Sequence, residues 1–144
     1  MSREILFKAK RADNGEWVTG YYFKAGEKSM ILSFFTNETG LYYEMYEIDS
    51  ETVCQYTGLT DKNGKKIWEN DIIKYHFGEQ TAPIKYGTYQ SCFDSTKTQH
   101  CGFYVDWDFK KSLRKDLGYW ICMVDAEPIG NIFDNPELLE GGNE

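Results

Sequence analysis

The chain has 144 residues, a length that suits one domain or two very small ones. Its 16 Lys and Arg residues against 23 Asp and Glu residues give a net charge of −7. This charge disfavours nonspecific binding to nucleic acid or to an anionic membrane surface, because both are negatively charged. With 17% aromatic residues and only 3 prolines, the composition also disfavours disorder over most of the length.

The opening residues lack the charged, apolar and small-residue pattern of a cleaved signal peptide. The longest apolar stretch, Met30 to Phe35, is much shorter than the roughly 20 residues that cross a bilayer. We therefore expect a cytoplasmic protein without a membrane-spanning segment. The cysteines form no CxxC pair and are expected to be free thiols.

Alternating apolar residues in the first half predict four antiparallel strands in two hairpins. The predicted strands contain Ile5–Ala9, Trp17–Phe23, Met30–Phe34 and Leu41–Met45. The turns are Asp13-Asn14-Gly15 and Asn37-Glu38-Thr39-Gly40, and Asn-Gly accepts the positive φ angles of a tight hairpin turn. Residues 1–48 are thus predicted to form an N-terminal β unit. A connector over residues 49–57 follows, in which Asp49 caps one short helical turn.

Closely spaced turns and short strand-like runs continue from residue 58 to the C-terminus. Asp61-Lys62-Asn63-Gly64 predicts a hairpin turn. Strands are predicted over residues 72–77, 83–93, 102–107, 119–124 and 129–133. A helix that begins at Asp108 is predicted to place Phe109, Leu113 and Leu117 on one face and to end at Gly118, and Pro136 begins a terminal helical turn. The short strands predict a mainly β protein with a small, partly open barrel over residues 58–144.

No arrangement of residues in the sequence predicts catalysis or a metal site. Asp61-Lys62-Asn63-Gly64 resembles the start of a calcium loop, but its twelfth position is Ile72, which cannot bind calcium. His100 and Cys101 are adjacent on a predicted strand and would point to opposite faces, which disfavours shared zinc ligation. His76 is the other histidine, and neither belongs to a nucleophile motif. We therefore expect a protein that is not an enzyme and needs no cofactor.

Aromatic residues are concentrated in the first half of the chain, in greater number than one inner face of a small sheet can cover. Large exposed apolar patches usually mark a contact surface. The leading hypothesis is therefore a module that binds a second copy of itself or another protein. The candidate contact residues are Trp17, Tyr21, Tyr42, Tyr43 and Tyr46.

Four basic residues within six positions lead to a second hypothesis, which is binding of single-stranded nucleic acid. Small barrels often bind single strands through aromatic platforms and a basic groove. Lys110, Lys111, Arg114 and Lys115 would form the basic side of the predicted helix. A solvated helix face explains the same four residues, and the net charge of −7 opposes a polyanionic partner.

Three stretches carry a family pattern: residues 3–9, residues 48–72 and residues 129–139. The second contains Tyr56-Thr57-Gly58-Leu59-Thr60-Asp61-Lys62-Asn63-Gly64, and the third contains Ile129-Gly130-Asn131-Ile132-Phe133. Together they resemble the YopX-like family of proteins encoded by bacteriophages and prophages. The signature residues are Gly58, Asp61, Asn63, Gly64, Trp68, Asp71, Gly130 and Pro136, each of which is expected to serve in a turn, a cap or a packed anchor.

The resemblance implies a phage or prophage product of a low-GC Gram-positive host, with a C-terminal barrel of the Src-homology-three type. It implies no catalytic residue, because the family has no established activity. Cys54 and Asn70 stand where the family often has Gly, and Asn tolerates the left-handed conformation that the turn at Asn70 would need. Residues 75–124 match no family pattern, and a variable functional surface would lie there.

Overall fold

The computed structural model describes residues 4–74, 81–90, 98–107 and 115–140. Within these ranges the protein is mainly β, which confirms the predicted fold class. The chain divides into two compact units, Met1–Tyr56 and Thr57–Glu144. The barrel of the Src-homology-three type stays a prediction.

The first unit contains the four predicted strands and the beginning of a fifth. They are β1 (Phe7–Lys10), β2 (Trp17–Ala25), β3 (Lys28–Asn37), β4 (Gly40–Glu47) and β5 (Cys54–Thr60). Strands β1 to β4 pair antiparallel with their neighbours in the chain, and β1 also pairs with β5 at Gln55 and Cys54. The resulting order is β4-β3-β2-β1-β5, which places β4 at an edge.

The turns of the first unit form at the predicted residues. The side chain of Asn14 accepts a hydrogen bond from the Glu16 amide at 2.9 Å, and Gly15 adopts a φ of 74°. Asn37 accepts a hydrogen bond from the Thr39 amide at 2.8 Å. These side chains replace backbone partners and hold the bends. The predicted helical turn is a 3-10 helix over Ser50–Thr52, capped by Asp49.

The C-terminal end of β4 returns to the end of β1. Ile48 forms an isolated antiparallel bridge with Arg11, and the Ala12 amide donates a hydrogen bond to the Glu47 carbonyl at 2.9 Å. These contacts cover the edge of β4 at Glu47. Over Gly40–Tyr46 the same edge faces no neighbouring strand in the part of the chain that the structure describes.

The core of the first unit is small and lies on one face of the strands. Ala9, Ile31 and Ile48 are its buried members. The partly buried residues packed against them are Phe7, Val18, Tyr22, Tyr46 and Val53. Because strand side chains alternate between two faces, these residues define the inner face of the unit.

The second unit is built on a four-stranded antiparallel sheet. Its elements are β6 (Lys66–Trp68), β7 (Asp71–Lys74), β8 (Thr81–Gln90), β9 (Gln99–Val105), β10 (Pro128–Asn131) and the helix α1 (Glu137–Glu140). The sheet order is β10-β7-β8-β9. Its core includes Ile73, Ile84, Trp107 and Trp120. No helix in the described ranges has the length and apolar character of a membrane span.

The predicted strand over residues 119–124 is wrong, because Tyr119–Met123 forms a π-helix. Aromatic and branched residues suggested a strand by composition. However, the buried residues Leu117, Trp120 and Ile121 recur at a spacing of three and four, which is the period of a helix. The predicted helix from Asp108 lies mostly outside the described residues, as do Phe109 and Leu113.

Candidate functional site

The face of β2, β3 and β4 opposite the core carries a row of apolar side chains, which we name the outer face. The strand register places Tyr21 beside Leu32, and Phe34 beside Tyr43. Side chains paired in this way project from the same side of the sheet. The members of the outer face are Tyr21, Phe23, Met30, Leu32, Phe34, Leu41, Tyr43 and Met45.

Five large side chains of the outer face are between 51% and 66% exposed: Tyr21, Phe34, Leu41, Tyr43 and Met45. The Phe34 ring lies 6.1 Å from the Tyr21 ring and 6.3 Å from the Tyr43 ring. These distances and the tilted planes are typical of favourable aromatic pairs, which hold the rings side by side on the surface. Contiguous exposed apolar patches are typical of interaction surfaces.

The tip of the β3–β4 hairpin exposes aromatic side chains on its inner side as well. The Phe35 and Tyr42 rings stack with centroids 5.8 Å apart, and they are 43% and 41% exposed. The Tyr42 hydroxyl also forms a hydrogen bond with the Thr39 hydroxyl. The core therefore ends before the hairpin does, and the tip has apolar rings on both sides.

The five predicted contact residues lie on two different faces. Trp17, Tyr21 and Tyr43 lie on the outer side of the sheet, whereas Tyr42 and Tyr46 lie on the inner side. The structure thus brings Tyr21 and Tyr43 together, with Phe34 between them.

Trp17 and Tyr46 are held by cations of the same unit. Lys8 Nζ lies 4.7 Å from the Trp17 ring centre, and the Arg11 guanidinium lies 4.7 Å from the Tyr46 ring centre. The Tyr46 hydroxyl donates a hydrogen bond to the Glu44 carboxylate, which raises the pKa of Tyr46. Both aromatic residues are half-buried, so they contribute less accessible area than Tyr21 or Tyr43.

Phe34, Leu41 and Met45 were missed among the predicted contact residues. For Phe34 the available signal was the sequence of β3, which reads Met-Ile-Leu-Ser-Phe-Phe from residue 30 and has apolar residues at both even and odd positions. Apolar residues at both even and odd positions are typical of strands that are covered on both faces. In the described ranges, the core of the first unit covers the inner face and leaves the outer face open.

The signature residue Asp61 organises the turn between β5 and β6. Its Oδ1 accepts hydrogen bonds from the amides of Asn63 at 2.9 Å and Lys65 at 3.0 Å, and the side chain is buried. Gly64 has a φ of 83° in the same turn, and Gly58 has a φ of 89° within β5. These glycines occupy the left-handed region that residues with a Cβ rarely adopt.

Asp71 has a comparable role in the turn between β6 and β7. Its Oδ2 accepts a hydrogen bond from the Trp68 amide at 2.9 Å, and both residues are buried. Asn70 between them has a φ of 72°, which is the left-handed conformation expected there. Cys54 is not among the residues with positive φ.

Gly130 and Pro136 lie where β10 leads into α1. A Cβ on Gly130 would lie 2.5 Å from Asn135 Oδ1, an atom that accepts a hydrogen bond from the Asn131 amide. Pro136 comes directly before α1, where its missing amide hydrogen leaves no helical hydrogen bond unmade. All eight signature residues therefore lie in turns, in strands or beside a helix end in the second unit.

Three rings form a stack across β8 and β9. The Tyr89 ring lies 5.4 Å from the His100 ring and 5.3 Å from the Tyr104 ring, with the planes about 30° apart. Desolvation raises the pKa of Tyr89 and of Tyr104. Lys115 lies beside β9, since its carbonyl accepts a hydrogen bond from the Val105 amide. The other predicted basic residues, Lys110, Lys111 and Arg114, lie outside the described residues.

The structure separates His100 from Cys101. His100 pairs with Tyr89 and Cys101 pairs with Thr88, so the two adjacent side chains point to opposite faces. No group of three or more His, Cys, Asp or Glu residues that could hold a metal ion occurs within the described ranges. His76 lies outside them.

The YopX protein family matches residues 6–140, which is nearly the whole chain. The chain belongs to the YopX family. The crystal structure of protein EF1440 from Enterococcus faecalis is similar in fold, with a TM-score of 0.57 and 22% sequence identity. The similarity covers 96% of this YopX protein and 99% of EF1440. Among curated proteins, no significant match occurs.

We predict that Asp61→Ala lowers the free energy of unfolding of the second unit by about 1–3 kcal/mol, because the amides of Asn63 and Lys65 lose the charged acceptor that holds the turn. Asp61→Asn keeps an acceptor oxygen and should lose less. Urea unfolding followed by tryptophan fluorescence measures the change, since Trp68, Trp107 and Trp120 are buried in this unit. Equal stability of the wild type and Asp61→Ala would contradict the role of Asp61.

Proposed function

We propose that this YopX protein acts by self-association through the outer face of its first unit. The observation that supports this proposal is the cluster of five large apolar side chains that are each more than half exposed on one sheet face. From the family resemblance we also infer a phage or prophage origin and a cytoplasmic location, and we infer no catalytic activity.

Burial of the exposed apolar area is the favourable term in this association. Full burial of a large apolar side chain contributes about 1.5–3 kcal/mol, so covering the exposed half contributes roughly 1 kcal/mol. Association itself costs about 4–15 kcal/mol in lost motion. Several of these side chains must therefore be covered on both copies, and we expect association only at micromolar or higher protein concentration.

Charge opposes this association and gives it a recognisable salt dependence. Each copy carries a net charge of −7, so two copies repel each other at low ionic strength. Salt screens this repulsion, whereas contacts between apolar side chains do not weaken. Self-association through the outer face should therefore strengthen between low and physiological salt. Binding to a basic partner would weaken over the same range.

We predict that Tyr43→Gln weakens self-association at least tenfold, because Tyr43 is 61% exposed on the outer face of the edge strand β4 and each dimer loses two rings. Sedimentation equilibrium between 1 and 200 µM at two salt concentrations measures the dissociation constant. Tyr86→Gln is the matched control, since Tyr86 is an aromatic residue of the second unit that is 56% exposed.

A wild-type protein that stays monomeric throughout this range would overturn the proposal. Equal weakening by Tyr86→Gln and Tyr43→Gln would show that the outer face has no special part in association. Dissociation on adding salt would indicate a contact between charged groups instead.

A second candidate function is binding of single-stranded nucleic acid at the ring stack of His100, Tyr89 and Tyr104. Stacked rings on a sheet provide platforms for bases, and stacking contributes about 1–3 kcal/mol per base. Lys115 lies beside this sheet. The net charge of −7 opposes a polyanion, so this candidate ranks below self-association.

If this second candidate holds, Tyr89→Ala should weaken binding of a fluorescent oligothymidine at least fivefold, because the central ring of the stack is lost. Neutralising Lys110, Lys111, Arg114 and Lys115 should reduce the salt dependence of binding. Fluorescence anisotropy at 20 and 200 mM salt measures both effects. Negligible binding by the wild type at low salt would end this candidate.

A further inference from the structure

We propose that the second copy adds to the open edge of β4 in antiparallel register, with Tyr43 on the twofold axis. This inference rests on the proposed self-association and specifies how the two copies meet. The β4 strands of the two copies lie side by side at the edge of the outer face, so Leu41, Tyr43 and Met45 contact the second copy. Phe34 on β3 and Tyr21 on β2 lie one and two strands farther from it and extend the apolar surface. This arrangement depends on three observations: which backbone groups of β4 point outward, where the edge is already covered, and which residues would face each other.

Backbone groups of β4 alternate between β3 and the open edge. The Ile48 amide donates a hydrogen bond to the Ser29 carbonyl at 3.0 Å, so these two residues form a hydrogen-bonded pair just beyond the end of β4. In an antiparallel ladder such pairs alternate with pairs that exchange no hydrogen bonds. In the register of β3 and β4, the alternation leaves the amides and carbonyls of Leu41, Tyr43 and Met45 pointing to the open edge.

The usable edge ends after Met45. The next outward-pointing residue is Glu47, and its carbonyl already accepts a hydrogen bond from the Ala12 amide. At the other end, β4 begins at Gly40 directly after the hairpin turn. The free segment therefore spans residues 41–45, with Tyr43 at its centre.

A twofold axis at Tyr43 satisfies every free backbone group of this segment. Tyr43 pairs with the same residue of the second copy, and Leu41 of each copy pairs with Met45 of the other. In this register the outward-pointing amides and carbonyls of one copy lie opposite those of the other, so each pair can exchange hydrogen bonds as in an antiparallel ladder. On the outer face, Leu41, Tyr43 and Met45 of the two copies form a continuous apolar row across the junction.

The neighbouring registers are less favourable. An axis at Glu44 places two Glu44 carboxylates directly opposite each other, and like charges in that position are destabilising. An axis at Tyr42 places Met45 opposite the turn residue Thr39 and leaves its backbone groups unpaired. In the Tyr43 register, Glu44 faces Tyr42 instead, which is an uncharged partner.

Disulfide trapping tests the register. The Cα atoms of a hydrogen-bonded antiparallel pair are about 5.5 Å apart, within the range of about 4.4–6.8 Å that a disulfide needs. We therefore expect Tyr43→Cys to form covalent dimers at least tenfold faster than Leu41→Cys or Met45→Cys alone. In each of those two controls, the new cysteines of the two copies lie four residues apart along the paired strands, which is a separation of roughly 13 Å. An equimolar mixture of the two controls should cross-link, because Leu41 faces Met45.

The experiment uses the full chain with Cys92, Cys101 and Cys122 replaced by Ser, and disulfide formation is followed on non-reducing gels after mild oxidation. Sedimentation of each reduced variant is measured alongside. Association without preferential cross-linking of Tyr43→Cys or of the mixture would overturn the register and leave the outer-face proposal standing. A variant set that is monomeric before oxidation and forms no covalent dimer would overturn both.

Discussion

Side chains of a β-strand alternate between two faces, and in the first unit both faces of β3 are apolar. The inner face is filled by a small core whose buried members, among the residues that the structure describes, are Ala9, Ile31 and Ile48. The outer face places Phe34 between Tyr21 and Tyr43 with no covering layer in the described part of the chain. Since burial of apolar area is the main favourable term in association, this imbalance between the two faces favours contact with another molecule.

The position of the apolar face at a sheet edge decides what kind of contact is favourable. An uncovered face alone contributes only area, whereas an open strand edge also provides backbone donors and acceptors in a fixed pattern. In β4 the apolar face and the open edge coincide at Leu41, Tyr43 and Met45. The side chains of these residues are exposed on the outer face, and their backbone amides and carbonyls point to the open edge. The acidic charge of the chain and the Ala12 contact at Glu47 limit how far such pairing extends.

Most strands and turns could be predicted from the sequence, because they depend on residues close together in the chain. The exposed surface was harder to predict, because it depends on how distant strands pair. Asn14-Gly15 and Asp61 form turns through hydrogen bonds to amides a few residues away, which are visible in the sequence. The π-helix at Tyr119–Met123 was missed because its composition favours a strand while burial follows a helical spacing. Aromatic crowding indicated an exposed surface, but whether Tyr42 and Tyr43 share a face with Tyr21 depends on pairing between β2, β3 and β4.

Amide hydrogen exchange as a function of protein concentration tests the central claim most directly. The amides of Leu41, Tyr43 and Met45 face the open edge, so they should exchange rapidly in dilute protein and become protected at least tenfold as concentration rises. The amides of Tyr42 and Glu44 face β3 and serve as internal controls, which should be protected throughout. Rapid exchange at Leu41, Tyr43 and Met45 at every concentration up to 200 µM would contradict self-association at this edge.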